Sequence, residues 1–139
     1  LTLERAIAIA AEAHAGQKDR GGAPYILHPI RLMIQMDSED AMMAAVLHDV
    51  VENSVWTLDD LRKEGFSNTV LNAVDCLTHR DEEGEDYWDY IQRAGSDPIA
   101  IKVKLSDLVD NLNPGRLNEV TEKDEKRFDR YRKAQEMLL

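Results

Sequence analysis

The chain has 139 residues, of which 43% are hydrophobic and 32% are charged. This balance is typical of a folded globular protein and excludes a disordered chain. The length is that of one ordinary domain, so we expect a single domain over residues 1–139. No apolar run approaches the roughly 20 residues that a membrane-spanning helix needs, so we expect no association with a membrane.

The formal net charge is −10. A surface this acidic repels phosphodiester backbones, so we expect no binding to nucleic-acid polymers. A small phosphorylated ligand remains compatible with the charge, because a metal and a few local cations can reverse the field inside one pocket. The single cysteine, Cys76, cannot form an internal disulfide, which favours a cytoplasmic location.

Apolar residues recur at three- and four-residue spacing along nearly the whole chain, and no stretch alternates like a β-strand. The sequence therefore predicts an all-α fold. The first helix begins near Leu3 and ends near Gly16, and a polar, glycine-rich loop follows. Pro29 suits the first turn of the next helix, with His28 just outside that helix. Further helices are predicted over about 38–52, 57–65, 67–78, 85–94, 97–112 and 121–138.

The dipeptide His48–Asp49 is unusual because it lies inside the apolar stretch AVLHDVV. A helix that is apolar all round is expected to be buried. Burying a carboxylate beside an imidazole is costly unless both are paired or bind a cation. Two interpretations stay open at this point, a hydrogen-bonded pair without a metal and a pair of metal ligands.

Two further residues favour the metal. Asp107 lies in the similarly apolar stretch VKLSDLVDNL, and His28 lies between a loop and a helix, where a side chain can point inward. Two imidazoles and two carboxylates form a mixed nitrogen and oxygen set, which suits Mn, Fe, Co or Zn better than Ca. We therefore predict one divalent metal, held by His28, His48, Asp49 and Asp107. It would lower the pKa of a water molecule and polarise a phosphoryl oxygen.

Glu52 is the predicted general acid or base. It follows His48 by one helical turn, which places its carboxylate on the side of the helix where the metal is expected. A solvated residue near the end of a helix would explain it as well. Asn53, the next residue, is more typical of a C-cap than of a catalyst.

Several motifs occur in the order in which they occur in the HD-type hydrolase domain of the RelA/SpoT proteins, and they span nearly the whole chain. They are GQ, PYILHP, HDVVEN, LTHR and KLSDLVDNL. The resemblance implies a helical bundle of the HD type, a divalent metal that is usually Mn, and removal of the 3′-pyrophosphate from ppGpp and pppGpp. It also implies the same four metal ligands, a catalytic acid at Glu52 and a nucleotide contact at Asn111.

The chain departs from the alarmone hydrolases next to the predicted metal. Those enzymes have a Glu–Asp pair where this chain has Glu52 and Asn53. We place both residues at the catalytic position, but an amide cannot take up a proton, so one of the two carboxylates is missing. The pattern is closer to that of small, stand-alone HD phosphohydrolases.

A second departure lies on the predicted substrate side. The alarmone hydrolases contact the guanine nucleotide with an Arg and a Lys after the GQ motif, whereas this chain has Lys18, Asp19 and Arg20. A carboxylate at Asp19 would repel a phosphate, although it could accept a hydrogen bond from a base or a ribose. Lys104 shares one helix face with Asp107 and Asn111, so we predict that it also contacts substrate.

The remaining polar residues favour structural roles. His14 ends the first helix, His79 lies in a polar loop, and Tyr25 could either anchor its loop or touch substrate. The run KDEKRFDRYRK near the end of the chain mixes both signs of charge at helical spacing, which is typical of a solvated helix face.

Three functions are compatible with these residues. We predict an enzyme, a metal-dependent phosphohydrolase that acts on a small phosphorylated nucleotide or metabolite, with a guanine nucleotide as one option. The alternative is a nucleotide-binding sensor of the HD fold, whose chemistry is weakened by Asn53. A helical interaction protein without a metal is the third.

Overall fold

The computed structural model describes residues 2–139 and is helical over most of that range. Between these residues, the one β-type pairing is an isolated bridge that joins Lys18 and Pro24. The predicted all-α fold is therefore confirmed. The helices are α1 (Leu3–Ala13), α2 (Leu27–Ile34), α3 (Glu39–Leu47), α4 (Val50–Asn53), α5 (Leu58–Glu64), α6 (Asn68–Leu77), α7 (Tyr87–Ala94), α8 (Pro98–Asn111) and α9 (Glu122–Leu138), with short 3-10 helices at Asp81–Glu83 and Pro114–Arg116.

Helix α5 begins and ends where its sequence predicts. The Thr57 hydroxyl accepts from the Asp60 backbone N–H, and the Asp60 carboxylate accepts from the Thr57 N–H, which completes a capping box. Gly65 ends the helix with a φ of 100°, a left-handed conformation that costs glycine little.

The start of α2 differs from the prediction, because His28 lies inside the helix and not before it. The Leu27 N–H donates to the Pro24 carbonyl at 3.2 Å, and the His28 N–H donates to the Tyr25 carbonyl at 3.0 Å. This tight turn leads the chain into the helix before Pro29 is reached. Pro29 itself lies in the first turn, as predicted, where its missing N–H has no helical partner to lose.

The predicted helix over 38–52 is interrupted, and the interruption lies at the two residues of greatest interest. Helix α3 ends at Leu47 and α4 begins at Val50, with Asp49 at φ −105° and ψ 0° between them. The Ala45 carbonyl accepts from Nδ1 of His48 at 2.7 Å. This side-chain hydrogen bond partly replaces the backbone hydrogen bonds of a regular helix. Apolar periodicity continues across the break and therefore could not reveal it.

Helix α3 lies at the centre of the structure, in contact with α1, α2, α6 and α8. Its residues Ala44–Leu47 are completely buried, as the all-round apolar sequence predicts. Helices α7, α8 and α9 enclose a smaller apolar cluster beside this core. Along residues 2–139, no helix is both long enough and apolar enough to cross a membrane.

Replacement of Leu47 by alanine should destabilise the protein strongly, because the residue is 0% exposed in the central helix. We expect a loss of about 2–5 kcal/mol in the free energy of unfolding, measured by denaturant titration. Val55→Ala is the control, because Val55 is 92% exposed, and it should change the free energy by less than about 0.5 kcal/mol. Equal effects of the two changes would contradict the assignment of α3 as the core helix.

Candidate metal centre

The four predicted metal ligands come from three separate places in the fold. His28 lies in the first turn of α2, Asp107 lies on α8, and His48 and Asp49 occupy the break between α3 and α4. Potential ligand atoms of His28, His48 and Asp49 all lie within 4.8 Å of one another. Oδ1 of Asp107 lies 2.8 Å from Nε2 of His28 and 3.5 Å from Nε2 of His48. The fold therefore brings all four side chains together.

The hydrogen bonds of His48 leave one of its ring nitrogens available to a metal. Nδ1 lies 2.7 Å from the Ala45 carbonyl, which can only accept, so Nδ1 carries a proton. Nε2 is buried and makes no well-directed hydrogen bond, although Oδ2 of Asp49 lies 2.9 Å away. A buried ring nitrogen that faces carboxylate oxygens without a directed hydrogen bond is the arrangement that a metal cation would satisfy.

His28 is oriented by a carboxylate that was not predicted, that of Asp110. Oδ2 of Asp110 lies 2.5 Å from Nδ1 of His28, so this nitrogen donates, and Nε2 is the ring atom that faces Asp107 and the cluster. Arg31 and Arg116 hold the same carboxylate at 2.9 Å each. A carboxylate that supports the far nitrogen of a ligating histidine is a common companion of metal sites.

The electrostatics of the cluster favour positive charge. Burial raises the pKa of Asp107, but Lys104 and the two histidines outweigh it and keep the pKa well below the ordinary value. Burial likewise raises the pKa of Asp49, and the charge of His48 reverses the shift. Both carboxylates are therefore ionised at neutral pH, which is the form that ligates metals.

The two histidines respond to the same field. Burial lowers the pKa of each ring, yet the neighbouring carboxylates raise the pKa of His28 and raise that of His48 well above the ordinary value. A group of buried atoms that attracts a proton this strongly also attracts a metal cation. The residues present thus fit a divalent metal, with two nitrogen and two oxygen donors.

Glu52 stands near this centre and is fixed by the loop after α6. Its Oε1 accepts from the His79 backbone N–H at 2.7 Å. Burial raises the pKa of Glu52 and the charge of Asp49 adds to the shift, which outweighs that hydrogen bond. A carboxyl group that is easily protonated beside a metal centre is suited to general acid–base chemistry.

Asn53 is exposed and its side-chain amide makes no hydrogen bond within the described residues. Its backbone carbonyl accepts from the Gln17 side chain at 2.9 Å, and Oε1 of Gln17 lies 2.9 Å from Nδ1 of His14. Gln17 therefore connects the end of α1 with the end of α4. This is the role of the GQ motif in the fold, and it was not predicted.

Asp19, a predicted substrate residue, has hydrogen-bonding partners within the protein. Oδ1 of Asp19 accepts from the backbone N–H groups of Gly21 and Ala23, at 2.9 Å each, and Oδ2 lies 3.5 Å from Arg116. The carboxylate is thus a part of the loop's own hydrogen bonding and is partly neutralised. These contacts reduce the expected repulsion of a phosphate by Asp19, which still lines the cleft as predicted.

The other predicted substrate residues line the same cleft as the metal centre, which has a volume of about 470 Å³. Lys18 and Arg20 lie exposed on its loop side. Nζ of Lys104 is 2.8 Å from Oδ2 of Asp107, and Nδ2 of Asn111 donates to Oδ1 of Asp107 at 3.1 Å. Lys104 and Asn111 therefore orient Asp107 as well as facing the cleft.

The sequence analysis gave no orienting role at the site to four residues: Gln17, Tyr25, Asp110 and Arg116. The Tyr25 hydroxyl donates to the Asp49 carboxylate, which leaves the other lone pairs of Asp49 directed at the cluster. Asp110 could have been found, because it follows Asp107 by three residues and shares its helix face. Arg116 could not, because only the fold brings it to Asp110.

The sequence profile of the HD domain family matches residues 6–94, which include His28, His48, Asp49 and Glu52. The guanosine-3′,5′-bis(diphosphate) 3′-pyrophosphohydrolase of Aquifex aeolicus is 35% identical over 121 residues, covering 79% of this chain and 17% of its own length. The bifunctional (p)ppGpp synthase/hydrolase SpoT of Escherichia coli is 32% identical over 124 residues, covering 79% of this chain and 17% of its own. The chain thus spans about a sixth of the length of these relatives.

One further relative is named for a different activity, and one solved structure is similar in fold. The GTP pyrophosphokinase of Streptomyces coelicolor is 32% identical over 125 residues, covering 82% of this chain and 15% of its own length. The solved structure, of a metazoan ortholog of SpoT that hydrolyses ppGpp, has a TM-score of 0.78 and 23% identity. The superposition covers 96% of this chain and 82% of the chain in the solved structure. At this identity the likeness concerns the fold.

Replacement of Asp110 by asparagine should weaken metal binding while Asp107 and the other three ligands stay in place. The amide cannot hold Nδ1 of His28 and the two arginines as a carboxylate does, so His28 loses its fixed orientation. Loss of such a supporting contact lowers metal affinity by about 10–100-fold. Mn²⁺ titration calorimetry measures the change. Asp59→Asn on α5, at an exposed ion pair, is the control, and equal affinities would contradict the role of Asp110.

Replacement of Gly21 by alanine should displace the loop that carries Asp19. A Cβ at Gly21 would lie 1.8 Å from the Arg116 carbonyl oxygen, which is backbone and cannot turn aside. We expect destabilisation by about 1–3 kcal/mol in thermal or denaturant unfolding. Gly95→Ala is the matched control, because its nearest neighbour is the flexible end of the Leu138 side chain at 3.0 Å. A smaller effect at Gly21 than at Gly95 would show that the loop is not held against Arg116.

Proposed function

Because the chain belongs to the HD domain family, we propose that it is a metal-dependent phosphohydrolase that acts on a small phosphorylated nucleotide, with ppGpp as the first candidate. The observation that carries the proposal is the buried Nε2 atom of His48, which faces two ionised carboxylates with no well-directed hydrogen bond. A structural His–Asp pair would use that nitrogen for a hydrogen bond.

In this proposal His28, His48, Asp49 and Asp107 hold one divalent metal, and Mn is the first ion to test. When bound, the metal supplies Lewis acidity toward phosphoryl oxygens and lowers the pKa of water. Tyr25 and Asp110 keep Asp49 and His28 in their ligating orientations through the contacts described above.

Glu52 supplies the acid–base group. Its raised pKa suits a carboxylate that takes a proton from the attacking water and returns it to the leaving oxygen. The His79 N–H holds the carboxylate by Oε1, which leaves Oε2 for the water. This geometry lets one carboxylate serve both proton transfers.

The substrate side supports a phosphorylated ligand. Lys18, Arg20 and Lys104 line the cleft around the centre, and the Asp19 carboxylate is engaged by its loop and by Arg116. The names of the relatives from Aquifex aeolicus and Escherichia coli refer to hydrolysis of guanosine 3′,5′-bis(diphosphate). A guanine nucleotide with a 3′-diphosphate is therefore the substrate to test first.

One observation favours a second function, that of a nucleotide sensor. Asn53 stands beside Glu52 at the cleft with an amide that binds no other described residue and cannot take up a proton. If two carboxylates are needed there, the site would bind its nucleotide without cleaving it.

The decisive assay incubates the Mn-loaded protein with ppGpp and follows the release of pyrophosphate and GDP. Glu52→Gln should keep the metal and lower kcat by about 10²–10⁴-fold, because it removes the acid–base group alone. Glu83→Gln, an exposed residue outside the cleft, should leave kcat unchanged. Metal content is measured in all three proteins. Equal activity of the Glu52 variant would remove this residue from the mechanism, and a protein that binds no metal would contradict the proposal.

Replacement of Asn53 by aspartate separates the enzyme from the sensor. The enzyme proposal expects that the native chain hydrolyses ppGpp without the added carboxylate, with a kcat within about tenfold of the variant's, because Glu52 performs both transfers. Hydrolysis that appears only in the variant would instead establish the sensor. The same pyrophosphate assay, with dissociation constants from calorimetry, gives both answers.

A further inference from the structure

Three of the six Lys and Arg side chains that line the cleft are neutralised by a carboxylate of the protein. Lys104 pairs with Asp107 at 2.8 Å, and Arg116 pairs with Asp110 at 2.9 Å. Arg127 on α9 forms an ion pair with Asp124. The charge of these side chains is therefore largely used before any ligand arrives.

Arg130 on α9 differs from them. Its guanidinium lies over the ring of Tyr87 at 4.5 Å from the centroid and 5.7 Å from that of Tyr131, and it forms no ion pair with a carboxylate of residues 2–139. Stacking uses one face of the guanidinium and leaves its N–H edges free. Arg130 is exposed, so its unpaired charge is accessible to a ligand in the cleft.

The Tyr87 ring on which Arg130 rests is itself held in place. Tyr87 stacks with Trp88 at 5.2 Å and with Tyr90 at 6.1 Å between centroids. Lys104 and Arg130 rest on different rings of this group, since Nζ of Lys104 lies 4.9 Å from the centroid of Tyr90. Lys104 is therefore held beside Asp107 of the metal centre, whereas Arg130 reaches the cleft from α9 on a neighbouring ring.

We propose that Arg130, stacked on Tyr87, binds a second phosphate group of the substrate, remote from the phosphate that is cleaved. The proposal rests on the phosphohydrolase function proposed above and adds to it a specificity residue for the end of the nucleotide that does not react. The planar N–H fork of arginine matches phosphate oxygens in a two-point contact, and the stacking removes much of the side chain's freedom before binding. The mixed charges of this segment in the sequence indicate only a solvated face, whereas the fold turns Arg130 toward the cleft.

The test compares two compounds that share the cleaved group. They are ppGpp and guanosine 3′-diphosphate, which has a 5′-hydroxyl in place of the 5′-diphosphate. Arg130→Gln should raise KM for ppGpp at least about tenfold and change kcat little, because it removes a charge-assisted contact that is distant from the reaction. For guanosine 3′-diphosphate, KM should stay within about twofold of the native value. Arg130→Lys should fall between, since it keeps the charge and loses the fork.

Arg132→Gln is the matched control, because Arg132 is an exposed arginine on the same helix, paired with Asp129 and outside the cleft. It should leave KM unchanged for both compounds. An equal rise in KM for both compounds in Arg130→Gln would overturn the proposal, since it would indicate a general effect on the pocket. An unchanged KM for ppGpp would overturn it as well.

A failure of the proposed function can be distinguished from a failure of this inference. If the native protein cleaves neither compound, binding of both is measured by calorimetry on the Mn-loaded protein. Tighter binding of ppGpp than of guanosine 3′-diphosphate, lost in Arg130→Gln and kept in Arg132→Gln, would support the role of Arg130 without catalysis. The absence of such a preference in the native protein would overturn it.

Discussion

The buried carboxylate of Asp107 is the constraint on which the arrangement of the helices around the cleft depends. Its side chain is 7% exposed and meets His28 from α2, His48 from the end of α3, and Lys104 and Asn111 from its own helix. A carboxylate in such a place is strongly unfavourable unless cations and donors surround it. Helices α2, α3 and α8 therefore have to keep their relative positions, and the same positions assemble the candidate metal centre.

The interruption between α3 and α4 makes this arrangement possible. In a continuous helix, neighbouring side chains point in directions about 100° apart, so His48 and Asp49 would diverge. The break lets Nε2 of His48 and Oδ2 of Asp49 approach to 2.9 Å while Nδ1 of His48 still satisfies the Ala45 carbonyl. The local cost to the helix is limited because Ser38 caps the start of α3 and its last residues are completely buried.

Several carboxylates at and beside the cleft of this acidic chain are neutralised by the protein itself. Asp19 is bound by its loop and by Arg116, and Asp110 is bound by His28 and two arginines. Each of these ion pairs neutralises an arginine together with a carboxylate. The net charge at the cleft therefore depends on the cations that have no acidic partner. Arg130 is one of them, and its position on Tyr87 is the feature that extends the candidate site beyond the metal centre.

The sequence by itself determined the all-helical fold, the central helix and the four residues that meet at the cluster. Apolar periodicity encodes which helix faces are buried, and polar residues inside those faces stand out against it, as His48 and Asp107 do. Only the tertiary structure decided the break after Leu47, the contact of Asp19 with Arg116 and the support of His28 by Asp110. These features depend on hydrogen bonds between residues far apart in the chain or on small changes of backbone angle. Neither leaves a periodic signal in the sequence, because each is set by the distances between packed elements.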